Sequence, residues 1–246
     1  MENVIEKTIS EIVANDYRTA QVFKNHNIDF CCKGNRSVAA ACHEKNVDSD
    51  KLLKELDLVK QDKPSSTTDF KSWPLDLLAD YIEKTHHRYV EEKLPIIKQY
   101  LHKLCHVHGD RHPELFEINE EFKASAGELA AHMKKEEFIL FPYIRKMAKA
   151  KDGKTELDAP NFGTVQNPVQ MMMDEHTTEG DRFEKIAKLS NKYTPPADGC
   201  NTYRVTYALL KEFEEDLHLH IHLENNILFP KAIEMERELS PQVQSH

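Results

Sequence analysis

The chain has 246 residues, of which 30% are charged and 39% hydrophobic, and only 7 are glycine. This length suits one medium domain with a smaller companion, and the composition is typical of a soluble, mostly helical protein. The formal net charge of −9 argues against a broad nucleic-acid or membrane-surface role, and no apolar run is long enough to span a bilayer. We therefore expect a cytoplasmic protein with neither nucleic-acid nor membrane partners.

Two helical regions are predicted, and the fold class is therefore all-α. An amphipathic segment at 4–14 and further helical segments at 18–26, 36–46 and 49–59 predict a small helical N-terminal domain over residues 1–60. Residues 61–72 are polar at first and carry Pro64, which favours a linker. Residues 73–238 predict an antiparallel four-helix bundle, followed by a tail at 239–246, with helices at roughly 74–105, 113–150, 166–192 and 201–238.

The five cysteines form neither a disulfide framework nor a zinc motif. Their number is odd, and no pair has CxxC spacing, so thiols kept reduced in the cytoplasm are expected. Cys31 and Cys32 are adjacent and lie in a turn that contains Gly34. The remaining three are interpreted as packed thiols: Cys42, Cys105 and Cys200.

The strongest chemical signal is a near-repeat of a histidine and a glutamate four residues apart. One copy is His132 with Glu136, the other is His220 with Glu224, and Leu-Phe-Pro follows each. Residues at i and i+4 share one face of a helix, and the apolar periodicity places these side chains on the bundle seam. A buried carboxylate is costly unless it is paired or bound to a metal. A buried His–Glu hydrogen bond would explain one such pair, but the repeat favours metal ligation.

The other two long helices each offer a ligand. His176 lies on the seam of the third helix. On the first helix the spacing leaves His86 and His87 as alternatives. Glu175 points about a quarter-turn away from the seam, so we expect it to support a ligand rather than bind metal, and Glu128 is a second candidate for that role.

Two further histidines on the fourth helix, His218 and His222, occupy a different face from His220, and we expect them to face solvent. The predicted site thus has four histidines and two glutamates, enough to hold two metal ions and leave open positions. The Glu-x-x-His pairs of ferritin-like proteins are absent at His132, His176 and His220, where the residues three before are Leu129, Met173 and Leu217.

The sequence resembles a known family over nearly its whole length. Residues 73–238 resemble a hemerythrin-like domain, and residues 1–60 resemble the small N-terminal domain of the bacterial repair-of-iron-centres proteins. The motifs that carry the resemblance are NIDFCCKG, the later Ala41-Cys42, Trp73-Pro-Leu, His87 with Leu94-Pro95, VHGDRHPEL, HMKKEEFILFP, DEH at 174–176, TPPADGC and HIHLENNILFP.

The resemblance implies two non-haem iron ions per chain, with an oxo or hydroxo bridge. His87, His132, His176 and His220 would be terminal ligands, with Glu136 and Glu224 bridging, and the alignment favours His87 over His86. The implied function is repair of iron–sulfur clusters damaged by nitrosative or oxidative stress, by iron donation to client proteins. Two alternatives stay open: reduction of nitric oxide to nitrous oxide, and sensing or carriage of O2 or NO. A homodimer also stays open.

The Cys31-Cys32 pair is a second candidate site. Adjacent cysteines are strained as a disulfide, so redox cycling between them is not favoured. A thiolate pair in an exposed turn could receive iron or NO, or contact a client protein. The alternative is that one of the two thiols is buried as a small apolar side chain.

Overall fold

The computed structural model describes residues 4–61, 68–153 and 157–239. The N-terminal part contains four short helices: α1 (Ile9–Asn15), α2 (Thr19–Asn25), α3 (Val38–Lys45) and α4 (Ser49–Gln61). Helix α1 begins with a capping box: the Glu11 backbone amide donates to the Thr8 hydroxyl oxygen, and the Thr8 backbone amide donates to the Glu11 carboxylate. The predicted small helical domain is confirmed.

The predicted four-helix bundle is also confirmed, and three of its four long helices are interrupted. The first consists of α5 (Leu75–Tyr81), a π-helical segment (Ile82–His87) and α6 (Arg88–His108). The second consists of α7 (Glu114–Lys135), a π segment (Glu136–Leu140) and α8 (Phe141–Lys151). The third is the continuous α9 (Gln166–Leu189). The fourth consists of α10 (Asn201–Leu223), a π segment (Glu224–Leu228) and α11 (Phe229–Leu239).

The Leu-Phe-Pro of the near-repeat lies at the C-terminal end of two of the π segments. Proline has no amide hydrogen and its ring collides with the carbonyl four residues earlier, so Pro142 and Pro230 cannot continue a regular α-helical turn. The amides of Phe141 and Phe229 instead donate to the carbonyls of Glu136 and Glu224, five residues back. These two π segments begin at the predicted metal ligands Glu136 and Glu224, and π turns are frequent at functional sites.

The hydrophobic core is divided in two along the bundle axis. One cluster combines the N-terminal helices with α6, α7, the second half of α9 and α10. The other combines α5, α8, the first half of α9 and α11. The six predicted ligand residues lie where one cluster gives way to the other along each long helix. The bundle is thus two apolar layers with a polar layer between them.

The N-terminal helices pack on the fourth bundle helix. Helix α1 contacts α10 and the π segment Glu224–Leu228. The ring of Phe30 meets His218 edge-on, with centroids 5.9 Å apart, and the ring of Tyr17 lies 5.2 Å from that of His222. The expectation that His218 and His222 face solvent is therefore wrong. Seen alone, the bundle would expose this face, but the N-terminal domain covers it, and His222 is 1% exposed.

The division of the chain into 1–60, 61–72, 73–238 and 239–246 stays a prediction. Residues 62–67 of the expected linker and residues 240–246 of the expected tail lie outside the described residues, while Phe70–Ser72 form one turn of 3₁₀-helix. Among the described helices, none combines the length and the apolar character needed to cross a bilayer.

Replacing Phe30 by alanine should destabilise the protein, because this ring is 4% exposed and fills the contact between the two parts. We expect the free energy of unfolding, measured by urea denaturation of the metal-free protein, to fall by about 3–5 kcal/mol. The matched control is Phe138→Ala, because Phe138 is 73% exposed, and its effect should stay within about 0.5 kcal/mol. Equal effects for the two variants would show that the domains do not stabilise each other through Phe30.

Candidate metal centre

The structure brings all six predicted ligand side chains into the polar layer. His132 lies in the last turn of α7, and Glu136 is the first residue of the π segment after it. His220 and Glu224 stand in the same relation at the end of α10. His176 comes from α9 and His87 from the end of the first π segment, and all six residues are at most 3% exposed.

The six side chains form two overlapping groups of possible metal ligands. One group contains His87 and His220, the other contains His132 and His176, and both contain Glu136 and Glu224. Within each group, one ligand atom from every residue lies within 4.8 Å of the others. The two carboxylates are therefore shared, and each has two oxygens with which to contact both groups.

The atoms that face one another are the ring nitrogens and the carboxylate oxygens. Four contacts define the arrangement: His87 Nε2 to Glu136 Oε2 at 3.4 Å, His132 Nε2 to Glu136 Oε2 at 3.3 Å, His176 Nε2 to Glu224 Oε2 at 3.3 Å, and His220 Nε2 to Glu224 Oε1 at 3.2 Å. Two nitrogens that bind one metal at about 2.1 Å and at right angles lie about 3.0 Å apart. The Nε2 atoms of His132 and His176 are separated by 3.0 Å.

The two buried carboxylates, Glu136 and Glu224, make this site suitable for cations. Both oxygens of Glu136 and of Glu224 are fully buried and have no hydrogen-bond partner among the described residues, and the same is true of Nε2 of His87 and of His220. Two ionised carboxylates without such partners would cost several kcal/mol each in an apolar bundle. A metal ion bound by these atoms removes that cost, so the residues fit the group that the resemblance implies.

The imidazoles keep the carboxylates ionised. Burial and Glu224 oppose ionisation of Glu136, but His132 outweighs them and holds the pKa of Glu136 below its ordinary value. For Glu224, burial is outweighed by His220 and His176, and its pKa lies well below the ordinary range. Burial opposes protonation of His132 as well, yet Glu136 and Glu175 raise the pKa of His132 to about 10. Without metal, the layer therefore holds at least one proton at neutral pH.

The outer nitrogens of three ligand histidines are held by hydrogen bonds. His132 Nδ1 lies 2.7 Å from Glu175 Oε2, and the salt bridge of Lys135 with Glu175 secures that carboxylate. His87 Nδ1 lies 3.1 Å from Glu137 Oε1, and His176 Nδ1 lies 2.8 Å from Asn225 Oδ1. Such partners fix the ring orientation and the tautomer, so that Nε2 points at the metal.

Two of these partners, Glu137 and Asn225, were not singled out in the sequence as supports for a ligand. A signal for them exists, because each directly follows the ligand glutamate in the near-repeat. In a regular α-helix a residue next to a seam position turns about 100° away from the core. Here a π segment starts at each glutamate, and the side chain after it is largely covered as well, with 8% of the Glu137 side chain and 6% of Asn225 exposed.

The structure separates His86 from His87. His87 belongs to one of the two ligand groups. His86 instead places Nδ1 3.0 Å from Asp216 Oδ1, and its ring stacks on that of His220 at 5.5 Å. The spacing left these two histidines as alternatives because both are buried in the same π segment.

Glu128 contacts none of the six ligand residues, so the expectation that it supports one is wrong. Its carboxylate is 56% exposed and pairs with Arg182 at 3.0 Å. Arg182 also pairs with Glu179, whose other oxygen accepts a hydrogen bond from Ser125. Glu128 thus belongs to a charge network on the outer surface of α7 and α9.

Cys31 and Cys32 lie directly beside the metal centre. Their sulfurs are 3.7 Å apart, and with Asp29 they form a third group of potential metal ligands. Cys32 donates a hydrogen bond from Sγ to the backbone carbonyl of His176 at 3.2 Å. Gly180 permits this approach, because a Cβ atom there would lie 3.0 Å from Cys32 Sγ.

The turn that carries the two thiols is less exposed than the sequence suggested. Cys31 is 4% exposed, and its contact with Cys32 together with burial raises its pKa well above the ordinary value. The backbone carbonyl of Cys31 also accepts a hydrogen bond from Asn225 at 3.1 Å. A single asparagine therefore links the thiol turn to the ligand His176.

A four-helix bundle with a shared histidine–glutamate centre defines a class, and comparison with known families agrees. Residues 78–232 match the hemerythrin HHE cation-binding domain, and residues 5–60 match a domain of unknown function, DUF542. The chain belongs to the hemerythrin HHE cation-binding family.

Similar proteins carry more specific names. The chain is 35% identical to the iron-sulfur cluster repair protein YtfE of Yersinia pseudotuberculosis over 219 residues, which cover 89% of this chain and 93% of that protein. It is 30% identical to the iron-sulfur cluster repair protein ScdA of Staphylococcus haemolyticus over 227 residues, covering 92% and 97% respectively. The chain therefore also belongs with these repair proteins by sequence, as the resemblance indicated.

Asn225→Leu should weaken metal binding without removing a ligand. The substitution takes away the hydrogen bond that orients His176, and losing such a partner costs about 10- to 100-fold in metal affinity. A competition titration with a chelator of known affinity measures the loss. Asn226→Leu is the matched control, because Asn226 donates to the carbonyl of Phe30 at 3.1 Å but contacts His222 rather than a ligand. A similar loss in both variants would contradict the positioning role of Asn225.

Metal uptake should release protons. Because the pKa of His132 in the metal-free protein is about 10, this histidine holds a proton at lower pH. A histidine must be neutral to bind a metal. At pH 8 we expect about one or more protons released per chain, and the proton from His132 should no longer be released above pH 10. Calorimetry in buffers of different ionisation enthalpy measures this number.

Glu175→Gln should reduce the release at pH 8, since the Glu175 carboxylate helps to raise the pKa of His132. A binding enthalpy that does not depend on the buffer at pH 8 would show that the metal-free layer is not protonated as described.

Proposed function

We propose that this protein binds two non-haem iron ions, with Glu136 and Glu224 bridging them, and that it repairs iron–sulfur clusters damaged by nitrosative or oxidative stress. The observation that carries the proposal is the sharing of both glutamates by two histidine pairs. Each ion would have two imidazoles and oxygens of both carboxylates, with His87 and His220 at one ion and His132 and His176 at the other. An oxo or hydroxo bridge would complete the pair.

The donor set favours iron over zinc. Structural zinc sites are mostly tetrahedral and closed, and they are rich in cysteine. Mixed histidine and carboxylate ligands with open coordination positions are typical of non-haem iron. The names of the relatives, which are iron–sulfur cluster repair proteins, support the same metal.

We propose that repair proceeds by iron donation, with the iron as cargo. The Asp29, Cys31 and Cys32 group is the nearest candidate to receive iron from the centre, because Cys32 touches the backbone of the helix that carries His176. Thiolates are the ligands that iron–sulfur clusters use, so this group resembles the acceptor chemically. In the cytoplasm, where we place the protein, both thiols stay reduced.

The partners we propose are client proteins with damaged clusters. The names of the relatives favour cluster repair over the two alternatives, nitric oxide reduction and carriage of O2 or NO. Nitric oxide and O2 then remain small molecules that could meet the open positions of the iron ions. The net charge of −9 supports a protein client rather than a nucleic acid.

Iron transfer from the loaded protein to an apo cluster protein tests this proposal. The double variant Cys31→Ser with Cys32→Ser should keep the iron content of the wild type. Its rate of iron transfer should fall by about tenfold or more, because the intermediate thiol ligands are lost. Cys105→Ser is the control, since Cys105 is buried and donates to the carbonyl of Leu115. The transferred iron is measured by the visible absorption of the rebuilt cluster.

The two parts of the proposal fail separately. A wild-type protein that holds two irons and transfers none to an apo cluster protein would contradict the repair function. Unchanged transfer by the double serine variant would leave repair standing and remove the thiols from the route.

A further inference from the structure

The end of the bundle remote from the metal centre carries an exposed cysteine. Cys200 immediately precedes α10, and its backbone is extended at the start of that helix. We expected a packed thiol at this position, and that expectation is wrong, because Cys200 is exposed. Twenty residues of helix separate it from His220, which corresponds to about 30 Å. The thiol is therefore independent of the metal layer.

A buried histidine faces this thiol. His108 Nε2 lies 3.2 Å from Cys200 Sγ, although the two residues are far apart in sequence. His108 is 5% exposed, and its Nδ1 has no hydrogen-bond partner in the part of the chain that the structure describes. The ring of Tyr203 meets the His108 ring edge-on with centroids 5.4 Å apart, which holds the imidazole against the thiol.

The start of α10 favours the charged form of the thiol. The backbone amides of Tyr203 and Thr202 stabilise the thiolate and lower the pKa of Cys200. Cys200 lies at the N-terminus of the 23-residue helix α10, and the positive end of the helix dipole there also stabilises the thiolate. An accessible cysteine at a helix start and beside a histidine is the environment in which thiols are reactive.

A cysteine only a few residues from His108 in sequence shows the contrast. Cys105 also lies on α6, but it is buried, donates to the carbonyl of Leu115, and has a pKa raised by burial. That thiol has a packing role and no base. Cys200 has the base and the access to solvent, so packing does not account for the placement of His108.

We propose that Cys200 and His108 form a reactive thiol–imidazole pair that undergoes exchange with low-molecular-weight disulfides, which places a covalent modification site at this end of the bundle. His108 accepts the proton of the Cys200 thiol, and the thiolate attacks one sulfur of the disulfide. A bond forms between Cys200 Sγ and that sulfur, while the original S–S bond breaks. The departing thiolate takes the proton from the His108 imidazolium and leaves as a thiol. One sulfur is oxidised and one reduced, so no further oxidant is needed.

The test uses the metal-loaded protein and oxidised glutathione as the disulfide, in less than equimolar amount at pH 7. Mass spectrometry of the digested protein identifies which cysteine carries the adduct. We expect Cys200 to be modified before any of the other four. His108→Gln should slow its modification by about three- to tenfold, since the loss of thiolate is partly offset by the higher nucleophilicity of a less acidic thiol.

A second measurement separates a base from a merely structural histidine. The far-ultraviolet absorbance of thiolate at pH 7, taken as wild type minus Cys200→Ser, should be clear in the wild type and much reduced in His108→Gln. His112→Gln is the matched control, because the His112 ring centre lies 6.4 Å from that of His108 and its nitrogens pair with Asp198 and Glu114. This variant should keep both the absorbance and the rate.

Three results would overturn the proposal. Modification of another cysteine before Cys200 would show that the thiol is not selected. An unchanged rate in His108→Gln, with unchanged thiolate absorbance, would show that the imidazole does not activate it. Equal losses in His108→Gln and His112→Gln would assign the effect to the local fold rather than to the base.

Discussion

The structure depends on the burial of two carboxylates in the middle of a helical bundle. Glu136 and Glu224 are fully buried, and no hydrogen bond from the described residues reaches their oxygens. Such an arrangement is unfavourable unless positive charge lies between the carboxylates. Four imidazoles surround them, and two cations shared by both carboxylates would balance the layer. The hydrophobic core is accordingly split into one cluster on each side of this layer.

The N-terminal domain is attached to that layer rather than to a remote surface. Asn225 accepts from His176 on one side and donates to the carbonyl of Cys31 on the other. Cys32 meets the backbone of His176 across the space that Gly180 leaves free. Any movement of the thiol turn therefore acts on the orientation of a metal ligand. This coupling gives a physical reason for a thiol-bearing domain to lie against the candidate metal centre.

Sequence periodicity was sufficient to predict the fold and to select the residues that meet in the layer. It succeeds because a polar residue on an apolar seam stands out, and because the near-repeat presents the same signal twice. It could not separate His86 from His87, and helical periodicity did not select Glu137, because π segments let consecutive residues face inward. The burial of His222 depends on docking of a separate domain, and the pairing of Cys200 with His108 joins residues 92 positions apart. Neither contact leaves a local pattern.

The sharing of both glutamates is tested most directly by counting the iron that single variants retain. Glu136→Gln and Glu224→Gln keep the shape of the side chain, and each removes a ligand from both groups at once. His87→Gln removes a ligand from one group only. After loading and desalting, we expect about two irons per chain in the wild type and about one in His87→Gln. Glu136→Gln and Glu224→Gln should each retain well below one. A glutamate variant that holds one iron as firmly as His87→Gln does would contradict the shared centre.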